Sequence, residues 1–343
     1  LPESFPNMKF DDEGVCNYCL SYTPMKYKGE STLRKLLDLY RHKGKRYDCI
    51  VPVSGGKDSI FVLYQTIKEQ KMRVLAFNYD SGFTSEQAKE NLRNAIKTLN
   101  VPFVSIKSKR DVQKRCLRDN IEAWALNPSS EAFPILCYGC KQGYLYGAYE
   151  IAGRMGIPLI ILGESEMENS DFKETFERFH KSYLIHLLKK FIKNPLYLNP
   201  KYIWHYFLLH AEFSLPAYIY RYTMRNTQKV IRWFDYIEYD ERKILSTVTE
   251  KLGWKNPQDS ASSWRFDCQI HAIVDYMFGK KLGFSEKDEL YSKMIREGIL
   301  SRDEALKRVE REKENKETQL AIINEVFQKI GLSEEKQGIL DLF

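Results

Sequence analysis

The apolar positions of the chain change rhythm several times, and each change marks an element boundary. Asp48 to Val53 (DCIVPV) is a short apolar run with no polar interruption past its first residue, as in a strand buried on both faces. Asp58 to Gln70 then reads as a helix. Val74 to Tyr79 predicts a second strand, and the helix after it opens at Thr84 with Gln87 three residues on, a capping-box pattern. Pro102 to Ile106 predicts a third strand, Tyr144 to Met155 a helix stopped by Gly156, and Leu159 to Leu162 a fourth strand. Alternation at this spacing predicts an α/β fold built on a doubly wound parallel sheet.

On either side of this core the rhythm differs. Residues 1–30 are loop-rich, with Pro2, Pro6, Gly14 and the pair Cys16–Cys19, and a basic helix is expected over Ser31 to His42. From Ser170 the pattern turns to long aromatic-rich helical stretches, with no further strand expected. Ser301 with Glu304 forms another capping box, leading into a helix over Ala305 to Phe327. The expected units are a small N-terminal cysteine-containing segment (1–30), the α/β domain (31–170) and a helical C-terminal part (171–343).

Composition narrows the class. The 343 residues suffice for two domains, and 43% apolar with 29% charged residues excludes a disordered chain. A net charge of +7 favours anionic ligands without arguing for nucleic acid. The 22 Tyr, 19 Phe and 5 Trp concentrate around residues 170–240, a density suited to a core or to a cleft for a polar ring-shaped ligand. The stretch Tyr202 to Tyr220 is broken by His205, His210, Glu212 and Pro216, so it is expected to be helical core or cleft wall rather than a transmembrane segment. With no signal-peptide pattern, a cytoplasmic location is expected. Leu1 in place of an initiator Met suggests a start trimmed from a longer chain. Seven cysteines, four of them in CxxC pairs, point to metal or redox chemistry in a reducing compartment.

The chemistry concentrates at VPVSGGKDSIFVLY, Val51 to Tyr64. Two glycines between a strand and a helix let backbone N–H groups converge, the helix N-terminus adds partial positive charge, and Lys57 adds a full one. Ser54 and Ser59 supply hydroxyls. The stretch is a phosphate cradle or a plain turn capped by Asp58. It is not a Walker A loop, because GxxxxGK[ST] is missing.

VSGGKDS closely resembles the pyrophosphate loop (PP-loop) of the N-type ATP pyrophosphatases, the adenine nucleotide α-hydrolase-like superfamily. Its members adenylate a carbonyl oxygen, release pyrophosphate and let a nitrogen or sulfur nucleophile displace AMP. The resemblance implies ATP and Mg²⁺, with Val53, Ser54, Gly55, Gly56, Lys57, Asp58 and Ser59 around the phosphates. FNYDSG looks like the end of that superfamily's second strand, bringing Phe77, Asn78, Asp80, Ser81 and Gly82 near the nucleotide. LGESEMEN looks like its fourth-strand signature, bringing Gly163 and Glu164. Lys57 and Asp58 would act at the loop. Asp80 and Glu164 would help hold Mg²⁺, or else are exposed loop carboxylates.

Further segments are similar to the N-acetyl sugar amidotransferases: KFDDEGVCNYC at the start, PILCYGCKQG in the middle, then FDYIEYDERKI, LGWKNP, RFDC and IREGILSRDEA. In order, they span most of the chain. They imply bacterial cell-surface sugar biosynthesis, as for lipopolysaccharide O-antigen, pseudaminic acid or flagellin glycosylation. The N-acetyl group of a sugar nucleotide or nonulosonic acid would become an acetamidino group. Ammonia would come from a partner glutaminase subunit through an ammonia-channel subunit. Arg265 and Asp267 are the candidate sugar contacts, or else cap and pack a helix.

Cys16 and Cys19 would be half of a zinc knuckle whose other half precedes Leu1. Cys137 and Cys140, expected on the loop before a helix, resemble the CxxC with which sulfur-transferring relatives hold an iron–sulfur cluster or zinc, with Cys268 as third ligand. That would make the chain an ATP-dependent sulfur transferase acting on tRNA or a small molecule, although no RNA-binding module is evident. Two other readings stand open: a four-thiolate site joining both pairs, and buried inert thiols.

Overall fold

The computed structural model describes residues 1–108, 111–126, 134–168, 196–212, 228–257, 263–314 and 316–332. Its framework is a single five-stranded sheet in the order β3-β2-β1-β4-β5, every neighbouring pair parallel. The strands are β1 (Cys49–Pro52), β2 (Val74–Asp80), β3 (Phe103–Lys107), β4 (Leu159–Leu162) and β5 (Lys229–Arg232). β1 is central, with Cys49 beside both Val74 of β2 and Leu159 of β4. Chain order therefore reverses between β1 and β4, and their carboxyl ends flank the crevice where such sheets take ligands.

Helices cover both faces, as the apolar runs in β1, β2 and β4 require. On one face α2 (Glu30–Tyr40), α3 (Lys57–Tyr64), α4 (Glu86–Leu99) and α8 (Glu241–Leu252) bury Leu33, Ile60, Leu92 and Val248 against Val51, Ala76 and Ile161. On the other, α5 (Val112–Leu126), α6 (Pro134–Arg154) and α7 (Pro200–Glu212) pack Val112, Ala148 and Leu209 against Ile50, Leu75 and Ile160. The carboxyl part adds α9 (Gln269–Lys281), α10 (Glu286–Arg296), α11 (Arg302–Glu314) and α12 (Lys316–Ile330). Phe278 of α9, Phe327 of α12 and Trp124 of α5 share one core with Phe5.

Several boundaries depart from expectation. The α/β rhythm returns once after residue 170, as β5, so a division there cuts through one sheet. The stretch Lys229–Arg232 (KVIR) carries only two adjacent apolar residues and no alternation, and only pairing to β4 makes it a strand. α6 starts ten residues before the expected Tyr144, which puts Cys137 and Cys140 on its first turns instead of on a loop. The helix expected from Thr84 is capped by Ser85, whose hydroxyl accepts from Ala88 N–H. The helix expected over 305–327 is helical at every described residue, as α11 and α12, with residue 315 between them outside the described residues. The N-terminal segment contains only a short helix, α1 (Asn17–Leu20), and docks on the carboxyl part. There Phe5 packs edge-on to Phe284, and Ser4 Oγ donates to Gly283 O at 2.7 Å. Most of the aromatic region lies outside the described residues, and no helix among them is long and apolar enough to cross a membrane.

Candidate active site

The SGGKDS loop sits at the carboxyl end of β1 and is braced by its own hydroxyls. Ser54 Oγ accepts from Gly56 N–H at 3.2 Å, while Ser59 Oγ accepts from Ser54 N–H at 3.2 Å and donates to Gly56 O at 3.1 Å. Gly55 has φ +98°, and a Cβ there would lie 2.2 Å from Ala88 O, so only glycine lets the loop lie on α4. No side chain caps α3, whose N-cap is Gly56; its first-turn amides therefore remain available to an anion. Asp58 does not cap the turn. Its Oδ2 accepts from Lys57 Nζ at 2.9 Å, and its Oδ1 is buried without a hydrogen-bond partner. Lys57 is only 1% exposed; burial opposes its charge, but the Asp58 carboxylate overrides this and holds its pKa well above the ordinary value.

A second wall faces this loop and comes from the other end of the chain. Thr84 bridges to Cys268, while Ser85 N–H donates to Asp267 O and Gln269 N–H to Phe83 O, which fastens residues 267–269 beside the loop. Asp267 Oδ2 lies where a Cβ on Gly56 would meet it at 3.2 Å. Trp254 Nε1 donates to Gly55 O at 3.1 Å, and Asn91 exchanges two hydrogen bonds with the backbone of Lys255. Between the walls is a cleft of about 310 Å³ lined by Ser54, Lys57, Asp58, Glu164, Arg265 and Asp267 among others, a size suited to small-molecule ligands.

Most of the expected nucleotide residues gather here, though not all in the expected roles. Val53, Gly56, Ser59, Phe77, Ser81 and Gly163 line the cleft. A Cβ on Gly163 would come within 2.9 Å of Ser59 Cα, so this glycine lets the end of β4 close on the loop. Asn78 also lines the cleft, but its amide donates to Val53 O at 2.7 Å and ties β2 to β1. Glu164 accepts from the Tyr144 hydroxyl. Asp80 is not brought into the cleft: its carboxylate pairs with Lys107 at 3.1 Å and accepts from Gly82 N–H at 3.0 Å, closing the turn after β2. Gly82, at φ +80°, belongs to that turn.

The substrate wall is held by ions. Arg265 has φ +51°, a strained conformation for a side chain of its size, and its guanidinium lies 4.9 Å from the Trp264 ring centroid. Its nitrogens approach Glu168 at 3.8 Å and Glu286 at 3.5 Å. Behind it His271 lies between Asp275 (3.1 Å) and Glu286 (3.2 Å). Burial opposes charge on Asp275, yet His271 and Lys287 hold its carboxyl well below the usual range. Arg265 and Asp267 are thus part of the cleft rather than helix caps, since Cys268 precedes α9 and no side chain caps it.

Glu168, Trp264, Tyr144 and His271 line the cleft without a sequence signal. Glu166 and Glu168 look alike in LGESEMEN, yet Glu166 turns to Arg232 at 3.1 Å while Glu168 turns inward. Burial raises the Glu168 carboxyl to about 7, partly offset by Arg265.

The cysteines divide. Cys16 is the N-cap of α1 and Cys19 lies within it, beside one another and outside the cleft. Cys137, Cys140 and Cys268 all line it. Burial raises the Cys268 thiol to about 12 and that of Cys140 well above its ordinary value, with neighbouring thiols adding to both, and Gln113 Nε2 donates to Cys140 Sγ. Among the described residues, no group of three or more His, Cys, Asp or Glu is arranged to hold a metal ion. The four-thiolate site is therefore not formed, and as placed the three cleft thiols do not fit a zinc ion or an iron–sulfur cluster.

Residues 261–341 match the family model described as "LPS biosynthesis protein WbpG-like, C-terminal domain". A Methanocaldococcus jannaschii protein, "Uncharacterized protein MJ1599", is 22% identical over 314 residues, covering 90% of each chain. Among solved structures, NMN synthetase from Francisella tularensis aligns with a TM-score of 0.37 at 10% identity, over 83% of this chain and 92% of that one. The U34-tRNA thiolase NcsA from Methanococcus maripaludis, solved with its 4Fe–4S cluster, aligns with a TM-score of 0.34 at 14% identity, over 79% and 80%. Trp264, Arg265, Asp267 and Cys268, which form the wall facing the phosphate-type loop, thus lie in the stretch that is similar to the WbpG-like C-terminal domain.

Proposed function

We propose that this chain is an ATP-dependent amidotransferase that adenylates the N-acetyl carbonyl of a bacterial surface sugar and replaces its oxygen with ammonia. The observation that carries the reading is the shared cleft: the SGGKDS loop forms one wall, and a segment of the WbpG-like domain forms the other. An amide carbonyl resists ammonia, and transfer of AMP to its oxygen supplies a leaving group. The uncapped amides of α3 and the buried Lys57 favour the charge of departing pyrophosphate in a partly water-excluded site. The partnerless Asp58 Oδ1 fits a cation; Asp58 and Glu164 are the residues that would hold Mg²⁺, which when bound neutralises phosphate charge. Arg265, fixed between two carboxylates, and Asp267 orient the sugar. Ammonia comes from a glutaminase partner through a channel subunit, and the need for ATP places the reaction in the cytoplasm.

The test is incubation with ATP, Mg²⁺, ammonium and a panel of UDP- and CMP-linked N-acetyl sugars and free N-acetyl nonulosonates. AMP should appear with a product lighter by the difference between O and NH. AMP formed only with a sulfur donor would overturn the reading.

One observation favours a second reading. Cys137, Cys140 and Cys268 share the cleft with the loop, as an ATP-dependent sulfur transferase would need. Metal and sulfur analysis of the purified protein and of Cys137→Ser separates the two. Stoichiometric iron or zinc lost in that variant, together with thiolated product, would favour sulfur transfer.

A further inference from the structure

We propose that Glu168 takes the proton from the attacking ammonia and then faces the amidinium that forms. This rests on the amidotransferase reading and adds the group that completes its second half.

Glu168 ends a one-turn helix, Glu166–Glu168, just past β4, and lines the cleft beside Arg265 and across from Lys57 and Asp58. Two of the other described carboxylates of the cleft are engaged and the third lies against the loop: Asp58 holds Lys57, Glu164 accepts from Tyr144, and Asp267 Oδ2 lies close over Gly56. Glu168 meets Arg265 Nη2 only at 3.8 Å, too far for a hydrogen bond, and its side chain retains 24% exposure. It already faces a planar cation, and an amidinium is also planar, with N–H donors on both arms.

The step balances. Attack by the amide oxygen on the α-phosphorus of ATP leaves a cationic O-adenylyl imidate. The ammonia lone pair forms the new C–N bond, and the C=N π pair retreats to the acetamido nitrogen. One proton of the new ammonium passes to Glu168. The C–O bond then breaks, AMP leaves with the bonding pair, and a nitrogen lone pair closes the amidinium. Glu168 returns its proton to solvent.

Burial supports the role by holding this carboxyl at about 7, where it exists in both protonation states near neutral pH. The groups facing it are Arg265 and Lys57, which favour the carboxylate, and Asp58 and Glu164, which oppose it.

The experiment compares wild type with Glu168→Gln on the N-acetyl sugars of the panel, using ammonium or hydroxylamine as nucleophile, with ATP–pyrophosphate exchange reporting the adenylation half. With ammonium, Glu168→Gln should lose about 10²-fold in kcat, within the range of general-base catalysis. It should keep its exchange rate, which also shows that it folds, and hydroxylamine, a weaker base whose adduct sheds a proton readily, should restore turnover. The wild-type ammonia rate, corrected for free ammonia, should rise as pH passes about 7, and the variant should lose that rise. Exchange falling in parallel with no rescue would mean that Glu168 only positions Arg265, and would overturn the proposal, as would full ammonia activity in the variant. No AMP from wild type with ammonium would remove the amidotransferase reading itself and this inference with it.

Discussion

The two walls of the cleft are built by opposite means. The phosphate-type wall is local: the hydrogen bonds among Ser54, Gly56 and Ser59 and the pair Lys57–Asp58 all lie within six consecutive residues. The facing wall is assembled from residues far apart in the chain, with Arg265 between Glu168 and Glu286 and His271 between Asp275 and Glu286. A local cradle keeps its shape with few neighbours, whereas an ionic wall exists only when several elements have packed. Changes in the first should therefore strike adenylation, and changes in the second should separate the half-reactions.

Lys57→Ala tests the local wall most severely. It removes the cation and leaves Asp58 buried and unpaired, so AMP release should fall about 10²- to 10³-fold, as for loss of a preorganised charge-stabilising group. Turnover assays on folded variant check this, and full retention would remove the loop from the mechanism.

Asp48→Ala is the control for the comparison, because it removes a buried carboxylate, paired with a partly exposed guanidinium, at the opposite end of β1. Asp48 is 1% exposed and accepts from the Arg73 guanidinium, Arg73 N–H and His42 N–H. Its loss leaves the backbone N–H groups of Arg73 and His42 without their acceptor and should cost about 1–3 kcal/mol in urea unfolding, with kcat of the folded fraction unchanged. Burial opposes its charge, but Arg73 and the two backbone amides hold its carboxyl below the ordinary range. The stability it contributes is therefore present above the unfolded-state value and is lost as pH falls through the folded one.

Trp254→Phe probes the seam between the walls by deleting the bond to Gly55 O while keeping an aromatic ring. A loss of about 1 kcal/mol in unfolding free energy is expected, with a rise in KM for ATP larger than the fall in kcat.

The remaining test is a pH dependence. The Glu168 carboxyl is raised from 4.5 to about 7, so between these values the folded state binds more protons than the unfolded one. Its contribution to stability should decline as pH rises through that window, and Glu168→Gln should flatten the decline. Unfolding midpoints at a series of pH values check the sign.

Much of the local wall was legible because its signals are short-range. An apolar run, two glycines and a hydroxyl–Lys–Asp string mark a strand, a turn and a helix start whatever lies elsewhere. The facing wall was only partly legible. Arg265 and Asp267 stood out by resemblance, but nothing in ESEME separates Glu166 from Glu168. The choice depends on Arg232 lying outside and Arg265 inside. Asp80 misled for the same reason, since Lys107 on β3 draws it away from the cleft.

The sequence alone therefore determined the parallel α/β core, the position of the phosphate-type loop and the three thiols worth following, because glycines, apolar runs and CxxC spacing act within a few residues. Only the tertiary structure decided that β5 completes the sheet, that Cys137 and Cys140 ride a helix into the cleft with Cys268, and that Glu168 turns into the cleft. Those outcomes hang on pairing and burial between residues up to two hundred positions apart, and no local pattern encodes which partner a charge or a strand will meet.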